Sequence, residues 1–242
     1  MKFTEAINNS GVSAIVYGES GIGKTHFIGT LPGSTLIIAA EKGGIKTLEK
    51  FPEDVKERLD VVYLPQPSTD IDDTNRRLNA FFDALIIEDL AFDNIVLDSA
   101  TELANGILMA KTDPNKNGGS PTQKNYSDTI SAMKRYLRIL RDIAEIRKKN
   151  VVIIALEAEV VLSQNADSQN TKTHPALCGK KLPPEAEGLF DIVAHLQKKS
   201  DGTRYFQLEG SDVFVGKDRF GRKYCKADGA TLLSGKIGNE EE

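Results

Sequence analysis

Short aliphatic runs alternate with longer amphipathic runs along this chain, and that alternation predicts most of its elements. Residues 13–17, 35–40, 60–64, 94–97 and 151–156 are apolar runs of strand length, rich in Ile, Val and Leu. Each of the first four is followed by a stretch of helical character. A helix is expected from Lys24, another from the Gly43-Gly44 pair toward Lys50, and a third over 72–90. In the third, Leu78, Phe81, Phe82, Leu85 and Ile86 recur at helical spacing. A fourth is expected over 101–111. A fifth, over 126–149, buries a stripe of Ile130, Met133, Leu137, Leu140 and Ile143 and leaves Lys134, Arg135, Arg138 and Arg141 on other faces. Buried strands alternating with helices predict an α/β fold, a mostly parallel central sheet covered on both faces. Three more strands, 191–196, 204–208 and 213–215, are expected as an antiparallel extension.

The remaining segments are polar. Residues 112–125 carry Pro114, Gly118, Gly119 and Pro121 and no core-forming residue, and 163–173 read as a second polar loop. No repeat or linker divides the chain. The expectation is one domain over 1–235 with a flexible acidic tail over 236–242.

Composition narrows the classes. At 242 residues the chain can bury a sizeable core, and a net charge of −4 argues against general coating of nucleic acid. The two cysteines, Cys178 and Cys225, match no metal or redox spacing and fit a reduced compartment. The first ten residues lack an apolar run, and no stretch approaches the roughly 18–20 apolar residues of a membrane span. A soluble, cytoplasmic protein without membrane contact is expected. Neither a catalytic triad nor a zinc site is supported by the three histidines.

The chemistry concentrates after the first strand. Gly18-Glu19-Ser20-Gly21-Ile22-Gly23-Lys24-Thr25 is a complete phosphate-binding loop between strand and helix. Its glycines let backbone N–H groups wrap a phosphate chain; Lys24 adds a cation and Thr25 a hydroxyl for Mg²⁺. Residues 18–25, together with His26 just beyond, are therefore the expected ATP site. Asp98 emerges from the strand 94–97 at the sheet's carboxyl edge, where it is placed to hold Mg²⁺ with Thr25. Ser99, not a glutamate, follows it, so the group that activates water must come from elsewhere. Glu41, at the end of the strand 35–40, is the candidate.

This combination resembles the RecA-like ATPase core, in particular the short phage-encoded members that keep the core alone. Ala40-Glu41 matches the Ala-Glu step of the catalytic glutamate, Gln66-Pro67 matches a strand end of bacterial RecA, and Leu97-Asp98-Ser99 is close to the family's Val-Asp-Ser. Lys217-Asp218-Arg219 is similar to the Lys-x-Arg element that reaches a neighbour's γ-phosphate. The resemblance implies an ATP- and Mg²⁺-dependent ATPase in DNA recombination or single-strand annealing. It implies a homo-oligomer with Lys24, Glu41, Lys217 and Arg219 as catalytic groups, the last two acting in trans, and the host cell cytoplasm as location. It also implies two DNA-facing segments, 112–125 and 159–181, with lysines but no aromatic stacking platform, and a polar sensor, often Gln, after the strand 151–156. Glu157 stands there instead, either because it meets a cationic partner or because the sensor is altered. A hexameric helicase or packaging motor shares all these parts, and an ATP-gated regulatory module without DNA is the reading from another class. A small-molecule kinase would leave Glu41 and the trans pair without purpose.

Overall fold

Along each central strand, alternate aliphatic residues face opposite ways, and each set needs its own cover. The computed structural model describes residues 10–65, 71–88, 90–165 and 168–234. The strands are β1 (Ser13–Gly18), β2 (Thr35–Ala39), β3 (Leu59–Tyr63), β4 (Asn94–Asp98), β5 (Asn150–Asn165), β6 (Ser168–Pro175), β7 (Ile192–Lys198), β8 (Arg204–Gln207), β9 (Lys217–Asp218) and β10 (Tyr224–Lys226). The helices are α1 (Lys24–Ile28), α2 (Glu53–Lys56), α3 (Ile71–Ile87), α4 (Ala100–Lys111), α5 (Gln123–Arg147), α6 (Leu182–Leu189) and α7 (Gly229–Leu233).

The sheet runs β10-β8-β7-β1-β5-β4-β2-β3, with β6 paired to β5 and β9 to β7. From β3 to β7 every neighbour is parallel. On one face Ile15, Ile38, Ile95, Leu97, Val151 and Ile153 pack with Phe82, Leu103, Leu137 and Leu182 from α3, α4, α5 and α6. On the other, Val16, Ile37, Val96, Val152 and Ile154 pack with Phe27 of α1 and with Leu232 and Leu233 of α7. Burial on both faces is what gives these strands near-continuous aliphatic runs. Among the described residues, no helix is long and apolar enough to cross a membrane.

Three expectations change. The strand at 191–196 belongs to both parts: β7 pairs parallel with β1 and widens the parallel core, and pairs antiparallel with β8 and β9, where the antiparallel extension of β8, β9 and β10 begins. Residues 213–215 form no strand; Phe214 makes a single bridge to Thr173, and pairing resumes at β9. The second polar loop is largely a ribbon, because β5 continues to Asn165 and returns antiparallel as β6. A two-stranded ribbon satisfies its backbone in its own ladder and has little core to cover, so its composition stays polar. Helix α5 begins three residues before the expected Tyr126, where Thr122 and Asn125 form a reciprocal cap. The segment after Gly43 is a 3₁₀ helix, Gly44–Lys50. Gln66-Pro67 and the tail 236–242 lie outside the described residues.

Two polar networks tie the ends of the fold together. At the sheet's amino edge, Asn94 Nδ2 donates to Pro32 O at 2.6 Å and to Thr35 Oγ1 at 3.1 Å, and Asn150 Nδ2 donates to Asn94 Oδ1 at 3.0 Å. Near the C-terminus Arg222 is buried; Nε donates to Asp218 Oδ2 at 2.9 Å, Nη1 to Thr231 O at 2.8 Å and Nη2 to Leu232 O at 3.0 Å. Arg222→Ala leaves the buried Asp218 carboxylate and two carbonyls of α7 without this partner. The expected cost is about 3–5 kcal/mol, to be read as a lower denaturant midpoint with unchanged slope; a loss below about 1 kcal/mol, the level of an exposed pair, would show that the network is not structural.

Candidate active site

The phosphate loop occupies the turn between β1 and α1. Gly21 and Gly23 take φ values of 77° and 113°, which L side chains rarely adopt. Lys24 opens α1 and is 8% exposed. Its ammonium donates to Gly18 O at 2.8 Å and Glu19 O at 2.6 Å. Burial pushes its pKa down, while Asp98, Glu157 and Glu19 push back by attraction. The charge is therefore held by carbonyl dipoles and nearby carboxylates, all of which an anionic phosphate can outcompete.

The sheet order brings the other groups to this loop. Strand β5 lies between β1 and β4, and β2 lies beyond β4, so Asp98 and the end of β2 share one edge. Ala39 is in register with Asp98, and the Ala40 N–H donates to Asp98 O at 2.8 Å. Thr25 Oγ1 donates to Asp98 Oδ2 at 3.0 Å. A Cβ built on Gly44 would lie 3.5 Å from Glu41 Oε1, 3.9 Å from Asp98 Oδ2 and 3.9 Å from Thr25 Oγ1. Three oxygens from three elements thus surround one point that glycine leaves open. Burial raises the Asp98 pKa and Glu41 adds repulsion, while the Thr25 hydrogen bond and Lys24 lower it.

Two carboxylates and a hydroxyl, all hard oxygen donors, fit Mg²⁺, which keeps several waters and takes its remaining ligands from phosphate. They do not amount to a free-standing metal cage, and among the described residues no group of three His, Cys, Asp or Glu side chains forms one.

Glu157 meets an imidazole, a partner that the sequence left undecided. It lies one residue beyond Leu156, the register partner of Gly18, and its Oε2 is 2.9 Å from His195 Nε2. Gln197 Nε2 lies 3.2 Å from His195 Nδ1, and Tyr205 Oη donates to Gln197 Oε1 at 2.6 Å. An amide nitrogen can only donate, so Nδ1 accepts and Nε2–H is left to donate to Glu157. His195 also stacks on Tyr17, 4.6 Å between centroids and 5° between planes.

Other expected residues sit as follows. His26 is exposed and packs on Phe51, with 4.6 Å between centroids. Lys217 Nζ donates to Glu187 O at 3.0 Å, Gly188 O at 3.4 Å and Phe190 O at 2.7 Å, closing the end of α6. Arg219 is exposed and pairs with Asp191 at 2.8 Å. His174 has its Nδ1 2.9 Å from Glu187 Oε1. In the segment 112–125, Lys116 pairs with Asp113 at 3.3 Å. Lys180 and Lys181 line an open groove of about 700 Å³ with Tyr126, Ser127 and Ile130 of α5.

Sequence reading missed Arg204. It starts β8, and its Nε donates to Ile22 O at 2.5 Å, inside the phosphate loop. The separation of 182 residues carries no local signal.

Comparison with known families gives a match to the AAA domain over residues 10–220, and comparison with curated proteins gives no match. The matched span takes in the phosphate loop, Glu41, Asp98, Glu157 and Arg204. On that match, the chain belongs to the AAA domain family of P-loop ATPases.

Proposed function

We propose that this protein is a Mg²⁺-dependent ATPase of the RecA-like kind that acts on single-stranded DNA, in phage recombination or strand annealing, as a homo-oligomer in the host cytoplasm. The observation that carries the catalytic part is the meeting of Thr25, Asp98 and Glu41 around the point beside Gly44, next to the buried Lys24. In this reading ATP lies along Gly18 to His26. Lys24 exchanges its carbonyl partners for phosphate oxygens, and Thr25 and Asp98 hold Mg²⁺. When bound, the metal supplies positive charge to the terminal phosphates. Glu41, exposed at the end of its strand, takes the proton of the attacking water. Glu157, hydrogen-bonded to His195, keeps a negative charge near Lys24.

The DNA part is supported by the resemblance and by one tertiary feature. The groove beside α5 joins the end of the segment 112–125 to the end of 159–181, and Tyr126, 41% exposed, brings to Lys180 and Lys181 an aromatic face that neither segment contains. Bases stack on such faces while lysines meet phosphates. In the trans role, Arg219 is the mobile member of its pair, since its exposed ion pair contributes only ~0.2–1 kcal/mol. Lys217 braces it from the end of α6.

Lys24→Ala is expected to abolish Mg·ATP binding, whereas Glu41→Gln keeps binding and lowers turnover by about 10²–10⁴-fold; normal turnover in Glu41→Gln removes Glu41 from the chemistry. Asp98→Asn separates stability from activity. The Asp98 pKa lies above its unfolded value, so the nucleotide-free protein loses stability as pH rises from that value through the folded one. Asp98→Asn should therefore melt higher than the parent at neutral pH while losing Mg²⁺-dependent turnover, and equal melting with full turnover would contradict the assignment. ATPase rates with and without single-stranded DNA, over a range of protein concentrations, test the remainder. Stimulation together with strand annealing is expected, and an Arg219→Ala subunit mixed with a Lys24→Ala subunit should recover partial activity. Duplex unwinding would point to a motor, and indifference to DNA to a regulatory module.

A further inference from the structure

Arg204 is an exposed arginine without a carboxylate partner among the described residues, and it is fastened to the phosphate loop. Strand β8 runs antiparallel to β7, so its first residue lies at the carboxyl edge, opposite Lys198. From there Nε donates to Ile22 O at 2.5 Å. A Cβ built on Gly23 would be 3.0 Å from Arg204 Nε, 3.4 Å from Cδ and 3.6 Å from Cζ. Gly23 is required by its φ of 113°, and the guanidinium lies close against it. Asp201, in the same turn, does not neutralise Arg204, since it accepts from the Thr203 N–H at 2.8 Å.

A neutral donor suffices to hold one carbonyl. Guanidinium brings five N–H groups and a permanent charge, and its Nη groups have no hydrogen bond among the described residues. The anion this loop is built to receive is a phosphate chain. We infer that Arg204 binds the phosphates of the nucleotide in cis, as a second cation beside Lys24 and from the opposite flank of the loop. This rests on the nucleotide reading of the site and adds to it a specificity for di- and triphosphates over the nucleoside. Its place on β8, in the subunit that owns the loop, makes it independent of assembly, unlike the Lys217 and Arg219 pair.

Calorimetric titration with Mg·ADP, Mg·ATP and adenosine, at low and high salt, tests it on Arg204→Ala, Arg204→Gln and Arg204→Lys. A glutamine amide can still donate to Ile22 O but carries no charge; lysine keeps the charge and loses the fork. The expected result is Mg·ADP and Mg·ATP weakened about tenfold in both Ala and Gln variants at low salt. Lysine should restore most of the loss, the deficit should shrink at high salt, and adenosine should be unaffected. Nucleotide-free melting curves should superimpose on the parent. Wild-type affinity in Arg204→Gln, or equal weakening of adenosine, would show that Arg204 only holds the loop and overturn the inference. If the alanine variant fails to fold, the comparison of Gln with Lys decides. Failure of the unmutated protein to bind Mg·ADP would instead sink the nucleotide reading itself.

Discussion

Lys24 carries a positive charge where burial penalises it, and the groups around it are arranged so that the charge persists. Its ammonium is bonded to two carbonyls of its own loop, with Asp98, Glu157 and Glu19 contributing attraction. A buried cation of this kind is costly alone and favourable once a polyanion arrives. The rest of the site follows from that imbalance. Asp98 accepts from the Thr25 hydroxyl and Glu157 meets His195, so each carboxylate has a hydrogen-bond partner other than Lys24.

Sheet order brings further groups to this local arrangement. With β5 inserted between β1 and β4, the phosphate loop, Glu157 and Asp98 stand on three successive strands, and β2 delivers Glu41 from beyond Asp98. The parallel direction matters as much as the order: β1, β2 and β4 end at the same edge and β5 passes through it at Glu157, so the four groups come to one edge of the sheet. The glycine at 44 leaves the meeting point open.

The same edge connects to the β5–β6 ribbon and to α6. Glu157 is in register with Pro175 at the root of the β5–β6 ribbon, and Ala158 with His174, whose ring meets Glu187 of α6. Helix α6 in turn is closed by Lys217. Burial of Glu187 raises its pKa, and the hydrogen bond with His174 opposes that shift.

Much was legible from residue order alone. The phosphate loop is contiguous, so its glycines, Lys24 and Thr25 declare their chemistry locally, and the aliphatic runs ending in Glu41 and Asp98 announce strands that finish in a charge. Parallel burial on both faces leaves a strong apolar signal, which is why β1 to β4 were found near their true bounds and β5 only over its buried part, to Leu156. The ribbon was not, because a ladder closed on itself leaves a polar sequence; nor was the parallel sense of β7, because strand direction depends on which neighbour it meets. Pairings such as Glu157 with His195, Arg222 with Asp218 and α7, and Arg204 with Ile22 depend on distances that chain order does not encode. Sequence by itself determined which groups could grip a phosphate and its metal. Only the tertiary structure decided which other charges face them, since that is set by sheet order and strand direction.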